Sequence, residues 1–138
     1  MKIYSFILLQ LLLSSALAHA QKEVVSKIAK PKLKDGEIAI FFNSKYSVIR
    51  IKELNGLKFD EATISRPSSD AIKATKTKLS FPSAPHSAMQ NPAAQYCSEH
   101  GGQNLIAISS SGGEVNYCRF KDRSLINSWD LFYKHFPN

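Results

Sequence analysis

Cysteine and tryptophan are scarce in this chain: two and one among 138 residues. Cys97, His100 and Cys118 would give a metal site three ligands at most, without the usual ligand spacing. Cys97 as a nucleophile would need a base held by a third group, and only His100 lies nearby in sequence. His86 and His135 have no partner at ligand spacing. The serine-rich stretch Ser109–Gly113 lacks the G-x-S-x-G elbow of a nucleophilic serine. Gly112-Gly113 alone is too little for a phosphate-cradling loop. Carboxylates do not cluster either: Glu99, Glu114, Asp122 and Asp130 read as surface or capping residues. These shortages leave no catalytic, cofactor or metal constellation, so a non-enzymatic protein is expected.

What the chain has is a leader, a charge bias and two β-rich regions. MKIYSFILLQLLLSSALAHA begins with Lys2, continues as an apolar run, and ends on Ala18-His19-Ala20, with Ala16-Leu17-Ala18 fitting nearly as well. This is the pattern of a cleaved signal peptide over residues 1–20. Its apolar run falls short of the ~20 residues that span a bilayer. No later stretch is apolar enough, and no cysteine near the cleavage point offers a lipid attachment site. The mature chain is expected to be exported, either periplasmic or secreted. Such a compartment allows Cys97 and Cys118 to pair.

Residues 21–90 carry 13 Lys/Arg against 7 Asp/Glu, while residues 91–138 carry four of each. The excess of positive charge therefore belongs to the first half. No nucleic-acid recognition module accompanies it, and export argues against such a partner. Lys27, Lys30, Lys32 and Lys34 in a basic arm (21–36), with Lys73, Lys76 and Lys78 further on, are candidate contacts to an anionic partner.

Residues 37–64 read as an antiparallel β-meander with strands at Ile38–Phe42, Ser47–Leu54 and Leu57–Ile64. Asn55-Gly56 is a strong hairpin signal, because both residues tolerate positive φ. Ile49 and Ile51 alternate with Val48, Arg50 and Lys52, the pattern of a half-buried strand. Residues 65–90 hold three prolines, six serines and three lysines without sustained periodicity. They read as a linker or a strap across a surface.

In residues 91–138, Asn91 suits an N-cap, Pro92 the first helical position, and Gly101 the position just past the end. Ala93, Tyr96, Cys97 and His100 then share one face of the helix. Asn104–Ser109 and Val115–Phe120 read as a hairpin around Ser110–Gly113. A last helix, Leu125–Phe136, capped by Asp122 or Ser124, would carry Leu125, Trp129, Phe132 and Phe136 on one broad apolar face. Tyr96, Tyr117, Phe120, Trp129 and Phe132 are the expected core aromatics.

Asn91-Pro92-Ala93, Tyr96-Cys97, Gly101-Gly102, Gly112-Gly113, Tyr117-Cys118, Phe120, Trp129 and Leu131-Phe132 together resemble a family of short exported bacterial proteins. These carry the name hemolysin, and their domain is formally one of unknown function. The resemblance spans about residues 90–136. Family members usually carry two further cysteines, at positions that here are Ile126 and Phe136. Their joint replacement by apolar residues implies that those two pair in relatives, leaving Cys97 to bridge Cys118. That bridge would contribute about 3 kcal/mol in the chain-entropy picture. Many relatives are lipoproteins, unlike this chain. The resemblance implies a small envelope domain more firmly than a toxin.

The expectation is thus an α+β protein, with a small antiparallel β-meander and a helix–β-hairpin–helix module holding one disulfide. The two β segments could join in one mixed sheet, since a lone meander makes little core. The expected function is a binding or structural module of the bacterial cell envelope, an accessory subunit of an envelope assembly. Its partner would be an envelope protein or an anionic envelope surface. The alternatives are a membrane-active hemolysin-like factor and a small secreted peptidase inhibitor.

Overall fold

A computed structural model describes residues 28–82 and 91–138. Residues 1–20, read from sequence as a signal peptide, and Lys27 and His86 lie outside the described residues. The described residues within 31–42 and 46–138 form one compact unit.

The described residues contain six strands: β1 (Glu37–Phe42), β2 (Lys45–Leu54), β3 (Leu57–Asp60), β4 (Gln103–Ser109), β5 (Glu114–Arg119) and β6 (Leu125–Asn127). They close into a barrel in the order β1-β2-β3-β6-β5-β4. Two hairpin-connected triplets, one from each half of the chain, therefore share one sheet. They join where β1 runs antiparallel to β4 (Ile38 opposite Ser109, Ile40 opposite Ala107) and where Phe59 of β3 faces Ile126 of β6. This overturns the α+β meander-plus-module reading. The two β segments do unite, but as an antiparallel barrel. The physical reason is that neither triplet has enough apolar surface to make a core of its own.

The hairpin at Asn55-Gly56 forms as its residues dictate, with φ of 53° and 78°. The third strand stops at Asp60, where the chain turns into α1 (Glu61–Ile64) instead of continuing extended. The Asp60 carboxylate accepts the Thr63 hydroxyl, a local bond that draws the chain out of the strand.

The segment 65–90, read as linker or strap, carries a helix, α2 (Asp70–Lys76), whose Ala71 and Ala74 are buried. Its two alanines let it lie close to the barrel. Ser69 at its N-cap makes no side-chain cap bond. Side chains far along the chain do the capping. Asp122 accepts from the Asp70 N–H at 2.8 Å, and the Ser124 hydroxyl from the Ala71 N–H at 2.9 Å.

Helix α3 (Pro92–Glu99) starts as expected. The Asn91 side chain accepts from the Ala94 N–H at 2.6 Å. It ends in a Schellman motif: Gly102 N–H bonds the Cys97 carbonyl, Gly101 N–H bonds the Ser98 carbonyl, and Gly101 holds φ at +82°.

The last helix differs. Leu125–Asn127 is strand β6, and α4 spans only Ser128–His135. Its cap is Asn127, which accepts from Trp129 and Asp130 N–H groups, not Asp122 or Ser124. Leu125 belongs to the barrel lumen and Ile126 to the outer core. That two-residue alternation belongs to a strand, and the coincident i, i+4 spacing of Leu125 and Trp129 concealed it.

Two cores result. The lumen is filled by Ile38, Ile40, Leu105, Ala107, Tyr117 and Leu125, with Ile49 and Ile51 against them. Outside the barrel, α2, α3 and α4 cover a second core built on Tyr96, Cys97, Cys118, Ile126, Leu131 and Phe132. Of the expected core aromatics, Tyr96, Tyr117, Phe120 and Phe132 are buried, while Trp129 is half-buried at the edge of the outer core. Phe136 packs against that same core, so Ile126 and Phe136, where the resemblance implies further cysteines in relatives, both contribute apolar surface to it.

A disulfide-braced barrel with a cationic groove

Cys97 on α3 and Cys118 on β5 form a disulfide, with 5.6 Å between their Cα atoms. Both are completely buried. Cys97 is therefore neither a nucleophile nor a metal ligand in this state. Gly102 lies against the bridge: a Cβ there would meet Cys118 Sγ at 2.3 Å and Cys97 Sγ at 3.0 Å.

Beside the bridge, His100 and His135 stack with ring centroids 6.0 Å apart, and Tyr96 contacts both edge-on. His135 Nε2 lies 2.9 Å from the Ala74 carbonyl, whereas the buried His100 Nε2 has no partner. Burial pushes the His100 imidazole below its usual pKa, and His135 lowers it further. Tyr96 OH accepts from the Leu79 N–H at 3.0 Å. Burial raises its pKa against the effect of that bond, and the Glu99 charge adds to the rise. In the lumen, burial pushes Tyr117 up to about 12, opposed by a hydrogen bond from Asn127 and assisted by Asp130.

The lysines named from sequence do not converge. Lys30, Lys32 and Lys34 are exposed along the segment before β1. Lys76 lines a cleft with Lys134, and Lys78 lies over the Phe136 ring at 5.1 Å. Lys73 lines a separate cleft of about 380 Å³ with His100, Lys121 and Asp70.

The cations that gather are ones the charge count hides. Residues 91–138 are neutral in sum, yet two of their acids are paired with the first half. Asp122 lies 3.9 Å from Arg66, and Asp130 lies 3.9 Å from Lys58. Burial works against the charge on Asp122. Hydrogen bonds from Ser124 and from the Asp70 N–H, with Arg66 nearby, outweigh it and hold the carboxyl below its usual value. Arg119, Lys121 and Arg123 are left without an ion pair among the described residues. All three line a groove of about 420 Å³ between Phe42 and the Gly101–Gln103 turn, and no carboxylate lines it. Arg119 lies over the Phe42 ring at 5.4 Å. Arg123 holds φ at +67°, fixed by its N–H bond to the Phe120 carbonyl. The sequence signal was the run Arg119-Phe120-Lys121-Asp122-Arg123, in which a single acid separates cations.

Fold and site thus define a small disulfide-braced antiparallel barrel with a cationic groove. Residues 88–135 match the family model described as Domain of unknown function (DUF333), and the N-terminal half matches no family model. No curated protein and no solved structure is similar to the chain. The match covers the stretch whose motifs carry the family resemblance, and its description names no activity.

Proposed function

We propose that this chain is an exported binding module of the bacterial cell envelope that docks an anionic partner through one face of its barrel. The observation that carries the reading is the gathering of Arg119, Lys121 and Arg123, unpaired, in one acid-free groove. Unpaired cations held in a concavity focus the field toward an incoming anion. The rest of the fold supplies rigidity for this role. The disulfide fixes β5 against α3, and the Gly101-Gly102 turn forms one wall of the groove.

In-cell cross-linking of the full chain, followed by isolation from the envelope fraction, tests the proposal. The expected product is a discrete cross-linked species that weakens at raised salt. Recovery of the chain as a lone monomer under all cross-linking conditions overturns it. A membrane-active role would instead show as vesicle leakage or erythrocyte lysis at micromolar protein. Among the described residues no helix is long and apolar enough to cross a membrane.

A further inference from the structure

Three cavities on the barrel adjoin one another through shared lining residues. The mouth of the lumen, about 200 Å³, has Ile40, Ile49, Leu105 and Leu125 as its apolar lining. It shares Phe42, Arg119 and Arg123 with the cationic groove. The groove in turn shares Gly101, Phe120 and Lys121 with the cleft beside Lys73 and His100. The track is apolar at one end and cationic along its middle. Carboxylates occur only at its ends, Asp60 at the mouth and Asp70 in the far cleft.

We propose that this track binds an extended acidic segment of a partner protein, with one apolar side chain of that segment seated in the barrel mouth. The inference rests on the binding-module reading above and assigns its site and ligand class. Each part of the ligand follows from a part of the track. The apolar mouth accepts an aliphatic side chain, and it is too small for a full acyl chain. Asp60 there repels an acidic group, so the acidic residues must lie further along. Arg119, Lys121 and Arg123 then meet carboxylates, with the two guanidinium groups able to bind them in bidentate fashion. The strand order closes on itself, so no whole strand stands free for strand addition and side chains carry the recognition. The cations lie along a groove, where an extended chain can enter. A flat bilayer surface would call for protruding ones.

The test is selection of displayed random peptides on the full mature chain, with the selected peptides then measured by fluorescence anisotropy. The expected enrichment is an apolar residue followed by two or more acidic residues. Affinity should fall at least tenfold for Arg119→Ala/Arg123→Ala and for a peptide whose apolar residue is glycine. It should be unchanged for Lys32→Ala/Lys34→Ala. Thermal melts of the variants matching the parent establish that the fold is kept, and Lys121→Glu provides a second exposed change with the same expected loss. Peptides without acidic residues, or equal binding by the arginine variant, overturn the inference. So does Arg119-dependent capture of anionic phospholipid vesicles with no acidic peptide enriched. A cross-linked envelope partner whose yield ignores Arg119 and Arg123 would sink this site while leaving the binding-module reading standing.

Discussion

The Asp122 carboxylate caps the N-terminus of a helix that lies 52 positions earlier in the chain, accepting the Asp70 N–H at 2.8 Å. Ser124 does the same for Ala71, and one Asp122 oxygen also accepts both the Ser124 N–H and its hydroxyl. Helix α2 is only seven residues long. A helix that short is marginal in water without tertiary help. Its existence depends on the loop between β5 and β6.

Asp122→Ala should therefore cost about 1–2 kcal/mol, the range for losing an N-cap. Ser69→Ala should cost under about 0.5 kcal/mol, because the buried Ser69 hydroxyl has no partner to lose. Urea denaturation midpoints of the two variants compare them directly. A larger loss at Ser69 than at Asp122 contradicts capping from a distance.

Gly102→Ala should be more harmful than Gly101→Ala, although Gly101 holds the positive φ. At Gly101 the added methyl meets open space, and the cost is the left-handed backbone, about 1–2 kcal/mol. At Gly102 it collides with a disulfide pinned at both ends, where displacement shifts α3 against β5. We expect faster reduction of the bridge by dithiothreitol in Gly102→Ala alone. Equal reduction rates for the two variants would refute the collision.

Replacing Cys97 and Cys118 together by alanine should lower stability by about 3 kcal/mol. The folded fraction should still bind acidic peptide, since neither sulfur is exposed to a ligand. Loss of binding in a protein that remains folded would show that the bridge shapes the groove and does more than brace it.

Stability should fall as the pH drops below about 6.5, the ordinary histidine value. His100 is held below that value in the folded protein, so the unfolded chain takes up the proton first. The contribution is full above the unfolded pKa and is lost as pH falls toward the folded one. Melting temperatures between pH 7.5 and 5 should decline for the parent and decline less for His100→Gln. Parallel slopes would show that His100 is not responsible.

At the alkaline end, Tyr117 should be the last tyrosine to ionise. Its pKa of about 12 means that the neutral form is favoured by folding. The associated stability is present below the ordinary tyrosine value near 10 and is lost as pH rises toward 12. Ultraviolet titration should show one tyrosine ionising only together with loss of the fold. Tyr117→Phe should remove that late step.

Features set by neighbours in sequence were legible. Asn55-Gly56 makes its hairpin, Asn91-Pro92 and Gly101 bound α3, and Ser110–Gly113 turns β4 into β5. Each depends on residues within one or two turns of chain. The disulfide was legible from the count of two cysteines and the expectation of export, and the family resemblance pointed to the same bridge. The barrel was not, because closure depends on β1 meeting β4 and β3 meeting β6 across the whole chain. Helix α2 was hidden because its caps are Asp122 and Ser124. The groove was hidden for a similar reason. The acids that would neutralise Arg119, Lys121 and Arg123 on paper are spent on Arg66 and Lys58, which only the fold brings near.

Three staves of the barrel come from residues before Pro82 and three from residues after Asn91. A chain cut between those points would yield two fragments, each ending in unpaired strand edges at both sides. Each fragment is the natural complement of the other, matched at two seams. Co-expressed, they should reassemble; apart, each should aggregate. The family-matched stretch 88–135 supplies only half the wall, so the unmatched first half is the other half of the same vessel and not an appendage to it.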